Sequence, residues 1–157
     1  MGKYMEKMLQ NDADEFKDMF IIDPKTNEAK KKPDVEEDYY NYSRIGNFLM
    51  RSQIDTQGTR NGKNVFFELK TRAACVLRYD IKNYVDSLDY EITKRRGLHS
   101  SFEREYYDLI RGGFLKYIFQ CKIGRMDGAF VAYHNTQKIF GMEYITLKEM
   151  EERVFGS

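Results

Sequence analysis

The chain has 157 residues, 41% hydrophobic and 32% charged, with a formal net charge of +1. That length suits one domain with a modest core, and the apolar share argues against a wholly disordered chain. The near-neutral balance neither demands nor excludes a nucleic-acid partner, but it is uneven: residues 1–57 carry 9 Lys/Arg against 12 Asp/Glu, the remainder 17 against 13.

In chain order, the opening "KYMEKMLQNDADEFKDMF" (3–20) spaces Tyr4, Met5, Met8, Leu9, Phe16, Met19 and Phe20 at roughly helical intervals, interrupted around Asn11–Asp14. It predicts one or two short helices. Residues 23–38 hold both prolines and two opposed charge blocks, which reads as a solvated loop. Three extended stretches follow: "DYYNYSR" (38–44), "FLMRSQID" (48–55) and "NVFFELKTRAA" (64–74). Gly46-Asn47 can turn the first into the second, and Asn61-Gly62 is a strong signal for a tight hairpin between the second and third.

Residues 78–97 divide between helix and loop. "SSFEREYYDLIRGGFLKYIFQCK" is the clearest helix, with Ser100 as N-cap and Glu103 completing a capping box. Gly112-Gly113 in its middle predicts a kink or the close approach of another element. "GAFVAYHNTQKIFGMEYI" reads as a second hairpin turning at 134–137, and "TLKEMEERVF" as a closing helix. "GRMDG" (124–128) reads as a turn leading into that hairpin. Cys75 and Cys121 read as buried thiols, with a disulfide left open, and His99 and His134 share no zinc-binding spacing with them. No apolar run reaches membrane-spanning length, and the acidic first residues do not read as a presequence.

The chemistry concentrates at the first hairpin. A two-residue turn at Asn61-Gly62 sets Asp55 opposite Glu68, Gln53 opposite Lys70 and Arg51 opposite Arg72, with paired β-carbons about 5 Å apart. Period-2 alternation then places those six residues on one face, and Phe48, Met50, Ile54, Phe67 and Leu69 on the other. Opposed carboxylates destabilise a strand pair unless something positive lies between them. A hard divalent cation held by Asp55, Glu68 and a backbone carbonyl would fill that role, with Lys70 steadying charge on a phosphate. A half-exposed strand face of mixed charge is the competing reading, and ion pairing competes with phosphate binding for Arg51 and Arg72. Tyr39, Tyr40, Tyr42, Tyr106 and Tyr107 are candidates for base stacking or for core packing. "KRR" (94–96) is a basic loop that either contacts nucleic acid or is merely exposed.

Asp55 followed by Glu68-Leu69-Lys70 resembles the D…(D/E)xK signature of the PD-(D/E)XK nucleases, with Ile54 where a proline is expected. That resemblance implies an α/β (α+β) fold with a central mixed sheet flanked by helices. Asp55, Glu68 and Lys70 would be catalytic, and Asp55, Glu68 and the Leu69 carbonyl would bind Mg²⁺ or Mn²⁺. Arg51, Arg72, Glu103 and Tyr107 would contact substrate; Glu103 and Tyr107 stand where one branch carries QxxxY. An acid of the first helix often completes the metal shell, and Glu6 and Glu15 are the local candidates.

"YNYSRIGNFLMRSQID", "FELKTRAA", "SFEREYYDLIRGGFLKY" and "IGRMDGAFVAYHNT" more narrowly resemble blocks of the fungal mitochondrial Pet-type RNA-processing factors. Those are longer proteins, so the chain reads as a catalytic-core fragment or a minimal relative. The resemblance implies a mitochondrial 5′-to-3′ exoribonuclease acting in RNA 5′-end processing and turnover. Its implied partners are single-stranded mitochondrial transcripts and the mitochondrial transcription or RNA-processing machinery. Two alternatives stay open: a non-catalytic RNA-binding or assembly module, and a DNA nuclease of the same superfamily. The expected organisation is a helical segment at 1–22, a charged loop at 23–37 and a core domain at 38–157.

Overall fold

A computed structural model of the chain describes residues 2–21, 39–60 and 62–156. The charged stretch at 23–38 and Asn61 lie outside the described residues, as do the linker and domain limits expected there.

Two short helices come first, α1 (Gly2–Gln10) and α2 (Ala13–Asp18). Four strands follow: β1 (Tyr39–Ile45), β2 (Phe48–Ile54), β3 (Thr56–Arg60) and β4 (Lys63–Ala73). The crossover runs through α3 (Cys75–Tyr79), a 3-10 stretch at Ile81–Ser87, α4 (Phe102–Gly112) and α5 (Phe114–Gly124). β5 (Gly128–His134), β6 (Ile139–Thr146) and α6 (Leu147–Phe155) close the chain. The main sheet has the order β3-β4-β5-β6, with β4 and β5 parallel and the outer pairs antiparallel. β1 and β2 form a separate two-stranded ribbon. The architecture is therefore mixed α/β, with a mixed sheet flanked by helices.

Alternation along β5 explains why both sheet faces are covered. Ala129, Val131 and Tyr133 join Leu109 of α4, Phe114 and Ile118 of α5 and Met150 of α6 in the larger core. Ala132 joins Met5 of α1 and Leu69 of β4 in a smaller core on the opposite face. Each fully buried Leu or Phe here contributes about 1.5–3 kcal/mol. β4 shares the register of β5, with Glu68 beside Ala129, Lys70 beside Val131 and Arg72 beside Tyr133. The charged side of β4 consequently faces the α4–α5 layer rather than solvent. The half-exposed charged face read from the strand pattern is corrected on this point: helices cover it.

The expected long helix is two helices broken at Gly113, because Arg72 passes beneath the junction. A β-carbon on Gly113 would stand 2.6 Å from Leu109 Cδ1 and 3.5 Å from Arg72 Nη1, and one on Gly112 would lie 3.6 Å from Arg72 Nη2. The N-cap is Ser101 rather than Ser100: its hydroxyl accepts from the Arg104 N–H, while Ser100 adopts φ +51°. The second hairpin turns where expected. Buried Asn135 holds it by accepting from the Gln137 and Lys138 N–H groups and donating to the Leu88 and Tyr90 carbonyls. Cys75 and Cys121 are buried free thiols, and burial pushes Cys121 up to about 12.

Fully buried Glu105 ties the crossover together, accepting from the Cys75 N–H at 2.8 Å and from Arg78 Nη2 at 3.2 Å. Glu105→Ala leaves that N–H without a partner and opens a void. It should lower stability by about 2–3 kcal/mol, checked by urea unfolding, whereas Glu105→Gln should recover most of the loss.

Candidate active site

The hairpin register follows the sequence as far as Thr56. Arg60 pairs with Lys63, leaving two positions between them, and the ladder runs back to Thr56 opposite Phe67. Gly62 takes φ +73°, the left-handed conformation such turns need. At Asp55 the strand breaks. β2 leaves the main sheet and pairs with β1, so Gln53 lies opposite Tyr40 and Arg51 opposite Tyr42. The expected pairs Gln53–Lys70 and Arg51–Arg72 do not form. Packing decides this: Ile54 is buried in the larger core, and Asn41 Nδ2 donates to the Ile123 carbonyl of α5 at 2.9 Å.

The break frees the edge of β4 next to Asp55. Asp55 Oδ2 accepts from the Leu69 N–H at 3.0 Å, taking the place of the strand that departed. Its own carbonyl accepts from Gln10 Nε2 of α1 at 3.3 Å. Within an extended residue the N–H and C=O point to the same edge, so the Leu69 carbonyl stands on the Asp55 side. One carboxylate and one main-chain oxygen thus share an edge that a continuous β2–β3 strand would have closed.

Glu68 provides the second carboxylate. It is only 4% exposed, and it is contacted by Lys70 Nζ and by Gln120 Nε2 of α5, the latter at 3.2 Å. Burial pushes its pKa above the usual carboxylate range; the Lys70 contact opposes this, and the charge of Asp55 adds to it. Lys70 Nζ also lies 5.9 Å from the Tyr117 ring centroid. Gln120 Oε1 is buried without a hydrogen-bond partner, so the amide shows an unused oxygen at the site. Asp55, Glu68, the Leu69 carbonyl and Gln120 Oε1 are all hard oxygen donors, the type that Mg²⁺ and Mn²⁺ take. Among the described residues no group of three or more His, Cys, Asp or Glu could hold a metal, so two carboxylates are the charged share of this donor set.

The sign of the Glu68 shift yields a test. A raised folded-state pKa makes the ionised form costly, so this group's contribution to stability falls as pH climbs from 4.5 through the shifted value. Any activity needing the carboxylate should rise across the same window. Lys70→Met removes the opposing contact and should move Glu68 further upward, as read by carboxyl-carbon NMR titration.

The other expected residues lie apart from this cluster. Arg72 pairs with Asp108 at 3.0 Å. The Arg51 guanidinium covers the Tyr40 ring at 4.5 Å. Glu103 accepts from the Gly97 N–H at 2.8 Å, and Tyr107 is 62% exposed. From α1, Gln10 donates to the Asp55 carbonyl; Glu6 on the same helix is half-buried, and Glu15 lies exposed on α2. Asp127 serves the fold, exchanging hydrogen bonds with Phe66 at the start of β5. Gln120 was the residue that sequence reasoning missed. Its signal was an uncharged amide between Tyr117 and Cys121 in an otherwise apolar helical stretch.

All 157 residues match the family model described as mitochondrial protein Pet127. The chain is 42% identical over 142 residues to "Putative mitochondrial translation system component PET127" of Saccharomyces cerevisiae, covering 88% of this chain and 18% of that protein. It is 38% identical over 157 residues to "mRNA degradation protein pet127, mitochondrial" of Schizosaccharomyces pombe, covering 100% of this chain and 29% of that protein. It thus spans less than a third of either relative. No helix among the described residues is long and apolar enough to cross a membrane. A match over the whole chain, including the segments that carry Asp55 and Glu68, places this protein in the mitochondrial Pet127 family.

Proposed function

We propose that the chain carries a metal-dependent ribonuclease centre of the PD-(D/E)XK kind, serving mitochondrial RNA 5′-end processing and turnover. The observation that carries this reading is buried Glu68, gripped by Lys70 and Gln120 and raised in pKa partly by neighbouring Asp55. The printed names of the relatives, one an mRNA degradation protein and the other a putative translation system component, support RNA as the polymer. The 5′-to-3′ exonucleolytic direction comes from the family resemblance alone.

A bound Mg²⁺ or Mn²⁺ would supply Lewis acidity toward a phosphate and a more acidic water. Asp55, Glu68 and the Leu69 carbonyl are the groups to hold it, with Gln120 as a neutral fourth. Asp55 is kept in place by the Leu69 N–H. Lys70 sits on the same strand face as Glu68 and can offer its ammonium to charge building on a phosphate oxygen. The second reading, an RNA-binding module without catalysis, has one observation in its favour: Lys70 already neutralises Glu68, so the pair is satisfied with no ion.

The test is degradation of single-stranded RNA, labelled at either end, in Mg²⁺ or Mn²⁺ and in EDTA. Metal-dependent loss of label is expected, lost in Lys70→Ala, with unlabelled RNA a better competitor than DNA. Cleavage that persists in EDTA or in that variant overturns the assignment. RNA bound but never cut leaves the second reading, and DNA as the preferred competitor makes this a DNA nuclease instead.

A further inference from the structure

The β1–β2 ribbon stands outside the main sheet, and its two faces differ. Asn41 and Ile54 belong to the face that meets α5, through the Asn41–Ile123 hydrogen bond and the burial of Ile54 in the core. Alternation places Tyr40, Tyr42 and Arg44 of β1 on the other face, with Gln53, Arg51 and Leu49 as their cross-strand partners. The Arg51 guanidinium above the Tyr40 ring shows that these side chains do share a face. Tyr42 is 59% exposed, and Arg44 and Arg51 are exposed as well.

The composition of that face is selective. Its six positions, Tyr40, Tyr42, Arg44, Leu49, Arg51 and Gln53, include two tyrosines and two arginines but no aspartate or glutamate, in a chain with 25 acidic residues. A protein-facing patch has no need to exclude carboxylates, whereas a polyphosphate track does. Open aromatic faces beside arginines suit unpaired bases, which stack on the rings while guanidinium groups meet phosphates. A duplex keeps its bases stacked within itself and gains nothing from the rings. β2 also leads straight into the site, since Arg51 lies four residues before Asp55, about 13 Å along an extended strand.

We propose that this outer ribbon face, carrying Tyr40, Tyr42, Arg44 and Arg51, is the docking track that guides single-stranded RNA toward Asp55 and Glu68. This rests on the ribonuclease reading for its destination. Tyr42 provides the open stacking surface, and Arg51, already over the Tyr40 ring, offers its charge to the strand's phosphates. Arg44 carries the positive line toward the tip of the ribbon.

The experiment measures binding of a fluorescein-labelled oligouridylate in EDTA across a salt series, and separately hydrolysis of bis(p-nitrophenyl) phosphate in Mn²⁺. Tyr42→Ala should weaken RNA binding about tenfold, and Tyr42→Phe should stay within about twofold of wild type because the ring is kept. Arg51→Ala should lower the slope of log affinity against log salt by about 0.7. Hydrolysis of the small diester, which is too short to use the track, should be unchanged in both Tyr42 variants. Unchanged RNA affinity in Tyr42→Ala and Arg51→Ala overturns the track, as does wild-type protein that binds no RNA or binds a duplex equally well. Ribbon-dependent RNA binding with no hydrolysis of either substrate overturns the catalytic reading and leaves the track standing.

Discussion

Glu68→Gln is expected to lower metal-dependent RNA cleavage by about a thousandfold while leaving the melting temperature unchanged or slightly raised. The two effects diverge because the carboxylate is in a poor place for stability. It is nearly inaccessible to water, and burial, with Asp55 adding, outweighs the Lys70 contact in setting its pKa. A neutral amide of the same size escapes that desolvation and can still meet the Lys70 ammonium through its oxygen. For metal binding and transition-state charge the negative oxygen is the required feature, and the amide lacks it. Asp55→Asn should cost a similar factor in rate, with some loss of stability where the hydrogen bond from the Leu69 N–H weakens. Gln120→Ala should slow cleavage by a smaller factor, because it removes a neutral contact. Single-turnover cleavage beside thermal melts makes the comparison. Equal falls in rate and stability across the three would mean that the cluster serves the fold alone.

The largest effect on stability is expected from Gly128→Ala, a loss of about 3 kcal/mol, or a melting temperature lower by roughly 6–12 °C for a domain of this size. Gly128 opens β5 and sits opposite Thr146 of β6. A β-carbon there would run into the Ile145 carbonyl oxygen, and would stand 2.9 Å from the Tyr144 ring and 3.0 Å from Thr146 Cα. Two of these neighbours are backbone, so relief requires β6 to move away from β5. Next to it, Asp127 accepts from the Phe66 N–H and donates its own N–H to the Phe66 carbonyl, so the disturbance reaches β4 within two residues of Glu68. A differential scan that shows less than about 1 kcal/mol lost would mean that the strand entry relaxes freely.

Arg72 shows how far local pattern can mislead about placement. Its charge and strand parity were legible, yet its partner is Asp108 on α4, reached only because Gly112-Gly113 lets the helix approach. Asp108 is subject to burial, which would raise its pKa, but hydrogen bonds from Tyr79, Arg78 and Arg72 outweigh this and hold it below the usual range. These groups meet across the crossover, which no spacing rule covers. Spacing also could not show which helix reaches Glu68: it is α5, beyond the glycine break, and it brings Gln120.

What the sequence by itself determined is local: the tight turn around Gly62, the parity that puts Glu68 and Lys70 on one side of β4, the hairpin at Asn135 and the closing helix. These depend on backbone preferences and two-residue periodicity, which act within a few residues. Tertiary structure alone decided that the extended stretch ends at Asp55 rather than running on, because burying Ile54 against the helices outweighs continuing the ladder. The same break turned Asp55 onto the Leu69 N–H and sealed Glu68 beneath α5. An unpaired strand edge and a desolvated carboxylate are properties of what packs alongside, and those neighbours come from distant parts of the chain.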